Sequence, residues 1–173
     1  MTHPFTFRRY QAADYDSVAS LWTRINRELA PVGMENLFEQ YIATIIDGEL
    51  RQLLEVFSEA KRSAFWVVER EGAIVGAFGI EGRSTTDTEL RRMYLDKAYR
   101  GLGVAQRMLD CAEAEARALG FTKMILSTAQ IQKAADRFYR KSGFRLVRTE
   151  VVEQMTTKQA GGGLTRLHFE KAL

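Results

Sequence analysis

Apolar and polar residues change rhythm several times along the chain, and each change predicts an element. "PFTFRRY" alternates aromatic and polar residues and predicts a first strand. Asp14 stands where it can cap a helix, and Tyr15, Val18, Leu21, Trp22 and Ile25 follow at helical spacing until Pro31 and Gly33 break it. A second helical region puts Leu37, Phe38, Tyr41, Ile42, Ile45 and Ile46 on one side, with Gly48 as its interruption. "ELRQLLEVFSEA" predicts a further helical piece. In "SAFWVVEREGAIVGAFGIEG" two β-branched and aromatic runs surround Glu71-Gly72, a hairpin signal. "RSTTD" turns the chain into "TELRRMYL", a strand ending near Leu95.

A helix then carries Ala105, Met108, Leu109, Ala112 and Leu119 along one face, and Gly120 ends it. "TKMILST" predicts a short strand, and "IQKAADRFYRKS" a helix stopped by Gly143. "FRLVRTEVVEQ" and "LTRLHFEKAL" predict two closing strands around "TTKQAGGG", whose glycines are expected to form a flexible tip or a cover over a site. The order is strand, helices, three strands, helix, strand, helix, two strands. That order favours an α/β fold with a mixed sheet. At 173 residues, with no linker or repeat, residues 1–173 are expected to form a single domain.

Composition narrows the classes. A net charge of +3 does not argue for nucleic acid but suits an anionic ligand. The single cysteine, Cys111, excludes an internal disulfide framework and reads as a small buried hydrophobe. His3 and His168 lie far apart, so no metal-ligand cluster is expected. No apolar run approaches membrane-spanning length, and "MTHPFTFRRY" is too polar for a secretory signal. The expected location is cytoplasmic, with no membrane partner.

The chemistry concentrates in "YRGLGVAQRMLD", where two glycines one residue apart open a helix. A helix N-terminus presents unpaired N–H groups and partial positive charge, so glycines there let a phosphate or diphosphate come close. A plain strand-to-helix turn has the same glycines. A dinucleotide fingerprint would need a third glycine where Gln106 stands, and no Gly-Lys-Ser/Thr follows for a P-loop.

Arg100-Gly101-Leu102-Gly103-Val104-Ala105 fits Arg/Gln-x-x-Gly-x-Gly/Ala. With the preceding "ELRRMYLDKAY" it resembles the acetyl-CoA-binding motif of the GNAT-type N-acetyltransferase superfamily. "AADRFYRKSGF" is similar to that family's later signature, Ala-x-x-x-Tyr-x-x-x-Gly-Phe. Both motifs occur in family order, one helix and one strand apart. The resemblance implies a GNAT-like fold: a twisted, mostly antiparallel sheet of about seven strands flanked by helices, with a splayed parallel pair binding acyl-CoA. It implies acetyl-CoA as co-substrate, no metal and an amine acceptor, with a homodimer allowed, and the long region between Ala30 and Ala64, which would fill or wall an open groove, favours a small-molecule acceptor.

The resemblance also implies site residues. Gly101 to Ala105 would cradle the diphosphate, with Arg100 adding charge or lying on the surface as an ordinary arginine. The backbone of Met93, Tyr94 and Leu95 would bond the pantetheine arm like an added strand, their side chains being core. Gln132 stands where the family often has asparagine, three residues before Ala135. Tyr139 aligns with the tyrosine proposed as general acid at the sulfur. Glu89 matches a glutamate that serves as base in the histone-acetylating branch. Many relatives use a water chain instead, which Ser127 and Thr128 could support, although satisfying local backbone is the simpler reading of both. The acceptor walls would come from "RINRELAPVGMENLFEQY" and "KQAGGGLTRLHFE". Two other readings stay open: an acetylase of protein or peptide amines, and a non-catalytic acyl-CoA-binding module.

Overall fold

The structure, a computed structural model, describes residues 4–173. Its strands are β1 (Thr6–Arg9), β2 (Ala64–Arg70), β3 (Ala73–Gly82), β4 (Asp87–Leu95), β5 (Lys123–Ala129), β6 (Arg145–Val152) and β7 (Leu164–Ala172). The α-helices are α1 (Tyr15–Leu29), α2 (Glu35–Thr44), α3 (Leu53–Val56), α4 (Val104–Ala118) and α5 (Lys133–Lys141). One seven-stranded sheet runs in the order β1-β2-β3-β4-β5-β7-β6. All neighbours are antiparallel except β4 and β5, which are parallel.

The sheet is covered on both faces. In β2, Ala64, Trp66 and Val68 join the core beneath α4, while Phe65 and Val67 join the core beneath α1 and α2. This explains the unbroken apolar run "AFWVV": a strand buried on both faces has no polar side. Val18, Leu21 and Trp22 of α1 are fully buried, and each contributes roughly 1.5–3 kcal/mol of burial free energy. The β2–β3 turn has positive φ at both Glu71 and Gly72, as a two-residue hairpin with the strands' twist requires.

Three local expectations are corrected. Asp14 occupies the N-cap position of α1, but its side chain makes no cap bond. Its carboxylate instead accepts two 2.8 Å bonds from Arg8 and one from the Gln11 amide, so ion pairing with β1 wins over capping. Gly48 does not interrupt its helix: the chain continues through a π-helical turn, Ile45–Glu49, and a Cβ at Gly48 would come within 3.2 Å of Thr157. Gly161-Gly162-Gly163 is a packed turn, not a loose tip. All three have positive φ, and a Cβ at Gly161 would lie 2.5 Å from the Glu153 carbonyl oxygen.

Among the described residues no helix is long and apolar enough to cross a membrane, and no cluster of three or more His, Cys, Asp or Glu could hold a metal. His3 lies outside the described residues. Cys111 is half-buried, and burial pushes its thiol above the ordinary range.

Candidate active site

The parallel pairing of β4 with β5 is short. It joins Asp87, Thr88 and Glu89 to Lys123, Met124 and Ile125. From Leu90 onward β4 has no strand partner on that side among the described residues, and the two strands splay. A cavity of about 110 Å³ lies in the opening. On its other side, β4 stays paired with β3, but the register slips: Ala77 faces Tyr94 and Gly79 faces Arg91. Two residues, Arg92 and Met93, thus stand opposite Phe78 alone. This is a β-bulge, and Arg92 takes the left-handed φ of 53° that it demands.

The bulge has a chemical result. Consecutive strand residues ordinarily point to opposite faces. Here Arg91 and Arg92 both reach Glu49, which lies in the π-helical turn after α2. Arg91 Nη2 donates to Glu49 Oε2 at 2.7 Å, and Arg92 donates through Nη2 at 2.8 Å and Nε at 3.1 Å. Burial would raise the Glu49 carboxyl, but the two guanidinium groups outweigh it and hold the group below the usual carboxylate range. Burial opposes the charge on Arg92, yet the Tyr41 and Tyr94 phenols and Glu49 more than restore it. Arg92 Nη1 in turn donates to the Tyr41 hydroxyl at 3.0 Å and to the Tyr94 hydroxyl at 3.5 Å. Asn26 Nδ2 reaches the same Tyr94 hydroxyl at 3.4 Å.

Several expected site residues meet at this cavity: Glu89, Met93, Tyr94, Gln132 and Tyr139, with Ser127 and Thr128 opposite. Tyr139, from α5, is 8% exposed, with its ring edge-on to Phe138 and Phe144. Burial, with Tyr94 adding to it, pushes the Tyr139 phenol well above its ordinary value, so the hydroxyl keeps its proton. Glu89 is not a strand-end surface residue. Its side chain is 12% exposed, and its carboxylate accepts from Lys158 Nζ at 2.9 Å and lies 3.5 Å from Arg83 Nε. The Thr128 hydroxyl donates to the amide oxygen of Gln132, and Ser127 accepts from Arg166 at 2.6 Å, so both hydroxyls are engaged by side chains rather than by backbone.

The remaining expected residues lie off the cavity. Leu95 is buried in the core, and Ala135 packs against it. The Tyr94 ring packs against the core beneath α1, edge-on to Trp22, as expected, and its hydroxyl in addition reaches the cavity, where Asn26 donates to it. Arg100 folds back, donating from Nε to the Leu95 carbonyl at 3.0 Å, with Glu28 at 3.9 Å. Gly101 and Gly103 have φ of 77° and 76°, and a Cβ on either would meet open space. Gly103 is the N-cap of α4, where the first N–H groups have no carbonyl one turn back. Leu102 is exposed, while Val104 is buried and Ala105 packs against the core.

Glu49, Arg91 and Arg92 went unread as site residues, whereas Lys158 and Arg166 lie in the "KQAGGGLTRLHFE" segment expected to wall the acceptor site. The available signal was "RR" inside a central apolar strand. Two charges there require buried partners.

Known proteins share this architecture. A family model described as the Acetyltransferase (GNAT) family matches residues 20–144. The chain belongs to that family. It is 38% identical over 104 residues to YjgM, an uncharacterized N-acetyltransferase of Escherichia coli strain K12, covering 58% of this chain and 62% of that one. It is 32% identical over 112 residues to an IAA acetyltransferase of Azospirillum brasilense, covering 61% and 71%. The first of these relatives is thus matched over less than two thirds of its length. Among solved structures, the PaiA N-acetyltransferase of Thermoplasma acidophilum, determined in complex with coenzyme A, superposes with a TM-score of 0.78. It is 18% identical, and 98% of this chain and 99% of that one are covered.

Proposed function

We propose that the protein is an acetyl-CoA-dependent N-acetyltransferase acting, in the cytoplasm, on a primary amine of a small molecule. The observation that carries this reading is the pairing of Glu89 and Tyr139 around one cavity at the point where β4 and β5 part. In this reading the Gly101–Ala105 amides receive the diphosphate, and the free edge of β4 from Met93 to Leu95 receives the pantetheine arm. Thr128 occupies the Gln132 amide oxygen, which leaves the NH₂ end to donate to that arm.

The amine nitrogen attacks the thioester carbon, forming the C–N bond, and the C–S bond breaks. Glu89 takes the proton shed by the ammonium, directly or through water. Tyr139 gives a proton to the departing sulfur and is restored by the second proton that the attacking nitrogen sheds as the amide forms. The products are an amide and free coenzyme A. A small acceptor is supported by the modest cavity and by the packed 158–161 segment that closes one side of it.

The test is thiol release from acetyl-CoA against a panel of amines, amino acids and peptides, with calorimetry of acetyl-CoA binding alongside. Thiol release that requires an amine, with an N-acetylated product by mass, is the expected result. Binding without turnover on every amine would favour the non-catalytic module. Turnover confined to peptides would favour the protein acetylase.

Glu89→Gln is expected to slow kcat/KM most where the amine is mainly protonated, below its ordinary pKa of about 10. Raising the pH supplies free amine and should recover part of the loss. The ion pair offers a structural alternative, in which Glu89 only anchors Lys158. That alternative predicts that Lys158→Met matches Glu89→Gln at every pH, and it is the result that would remove Glu89 from catalysis.

A further inference from the structure

Glu89, Arg91, Arg92, Lys158 and Arg166 are the charged side chains lining the cavity among the described residues. Every cation but one has a carboxylate. Arg91 pairs with Glu49 at 2.7 Å and Glu81 at 2.6 Å, Arg92 with Glu49 at 2.8 Å, and Lys158 with Glu89 at 2.9 Å. Arg166 has only the Ser127 hydroxyl, at 2.6 Å, and no ion pair among the described residues.

This is not for want of a neighbour. On β6 the residue in register with Arg166 is Glu150. Glu150 turns instead to Arg148 and to His168, at 3.2 Å. Arg166 therefore lines the cavity with no carboxylate in ion-pair contact among the described residues. Burial works against that charge, pulling the guanidinium below its ordinary value, while Glu89 and the Tyr41 and Tyr94 phenols act to keep it. A guanidinium carries five N–H donors, and one hydroxyl cannot satisfy them. A carboxylate can, through two parallel bonds.

We infer that Arg166 holds a carboxylate of the acceptor, so that the acceptor is an amino acid or a similar molecule bearing both an amine and an acid group. The inference rests on the N-acetyltransferase reading and specifies its acceptor. Glu89 and Arg166 would then sort the two ends of one substrate, the carboxylate base taking the ammonium and the guanidinium taking the acid. A neutral amine offers nothing to the second group and leaves a partly buried charge without an ion-pair partner. Discrimination against it follows from that penalty as much as from lost attraction.

The test compares amino acids with their amides, using acetyl-CoA as donor, in wild type, Arg166→Gln and Arg166→Lys. Wild type is expected to favour the acid over its amide by about 10- to 100-fold in kcat/KM, the usual worth of hydrogen bonds to a charged group. Arg166→Gln should erase most of that ratio. Arg166→Lys should recover part of it, since it restores the charge without the fork.

A parallel measurement does not depend on turnover. Melting of the coenzyme A-loaded protein with each acid or amide should show stabilisation by the acid in wild type and not in Arg166→Gln. Stabilisation without turnover would retain the acid site while refuting acetyl transfer. Turnover with no preference for the acid, or a preference that survives Arg166→Gln, would refute the acid site while retaining acetyl transfer. If Arg166→Gln instead lowers the use of succinyl-CoA relative to acetyl-CoA, the carboxylate belongs to the donor's acyl chain and the inference is overturned.

Discussion

Tyr139→Phe is expected to lower kcat by about 100- to 10,000-fold, the range typical of a lost general acid, while acetyl-CoA affinity changes little. The substitution removes one oxygen and keeps the ring. The ring supplies the packing, through Phe138, Phe144 and Phe169, so the fold should persist with a melting temperature close to wild type. The expectation has a pH component. Burial pushes the phenol above its ordinary value, so the protonated, proton-donating form persists on the alkaline side of about pH 10. Wild-type kcat should therefore show no alkaline loss attributable to this group at or below that pH. Single-turnover rates that isolate chemistry are the measurement. Equal rates in the two proteins would remove Tyr139 from the proton transfer.

Glu49→Gln is expected to destabilise the protein by about 3–5 kcal/mol, the usual result of removing one partner from a buried ion pair. For a chain of this size that corresponds to roughly 6–20 °C in Tm. The carboxylate is shared by two guanidinium groups. Arg91 keeps Glu81, but Arg92 keeps only neutral partners: the Tyr41 and Tyr94 hydroxyls and the Thr157 carbonyl. The sign with pH follows from the depressed folded-state pKa of Glu49. Its contribution is complete above the unfolded value, about 4.3, and fades as the pH falls toward the folded value. Thermal melts from pH 7 down to 3 should therefore show the gap between wild type and variant narrowing at the acid end. A gap that is absent at neutral pH would show that Glu49 is not the group holding the two arginines.

The same cluster shows what the sequence could and could not disclose. Helices α1, α4 and α5 follow from periodicity, and the strands from alternation or from short apolar, β-branched runs bounded by turn signals. Tyr139 and Glu89 were legible only through the resemblance, since spacing alone makes one a core aromatic and the other a surface glutamate. Tyr94 packs against the core as read, but that its hydroxyl also reaches the cavity could not be deduced from alternation, because its strand position lies beyond the bulge. Arg166 looks like an ordinary solvated strand charge until the fold brings it to the cavity, whereas Arg91 and Arg92 stand as adjacent charges inside an apolar strand whose buried partner, Glu49, is distant in sequence. Gly48 reads as a break because a π-helical turn, which passes a glycine through unbroken, has no sequence signature comparable to a cap.

The parting of β4 from β5 also bears on solubility. It creates two edge strands in the interior of a sheet, and a bare edge is ordinarily a template for aggregation with another chain. Here α1 packs over one face of β4 and α4 over the other, while β7 secures the far side of β5. The outer borders are guarded by different means: β1 is four residues long and carries two arginines, and β6 presents Arg145, Arg148 and Glu150. The inner gap and the outer borders are thus protected differently, the gap by helices on either face of β4 and the borders by shortness and charge.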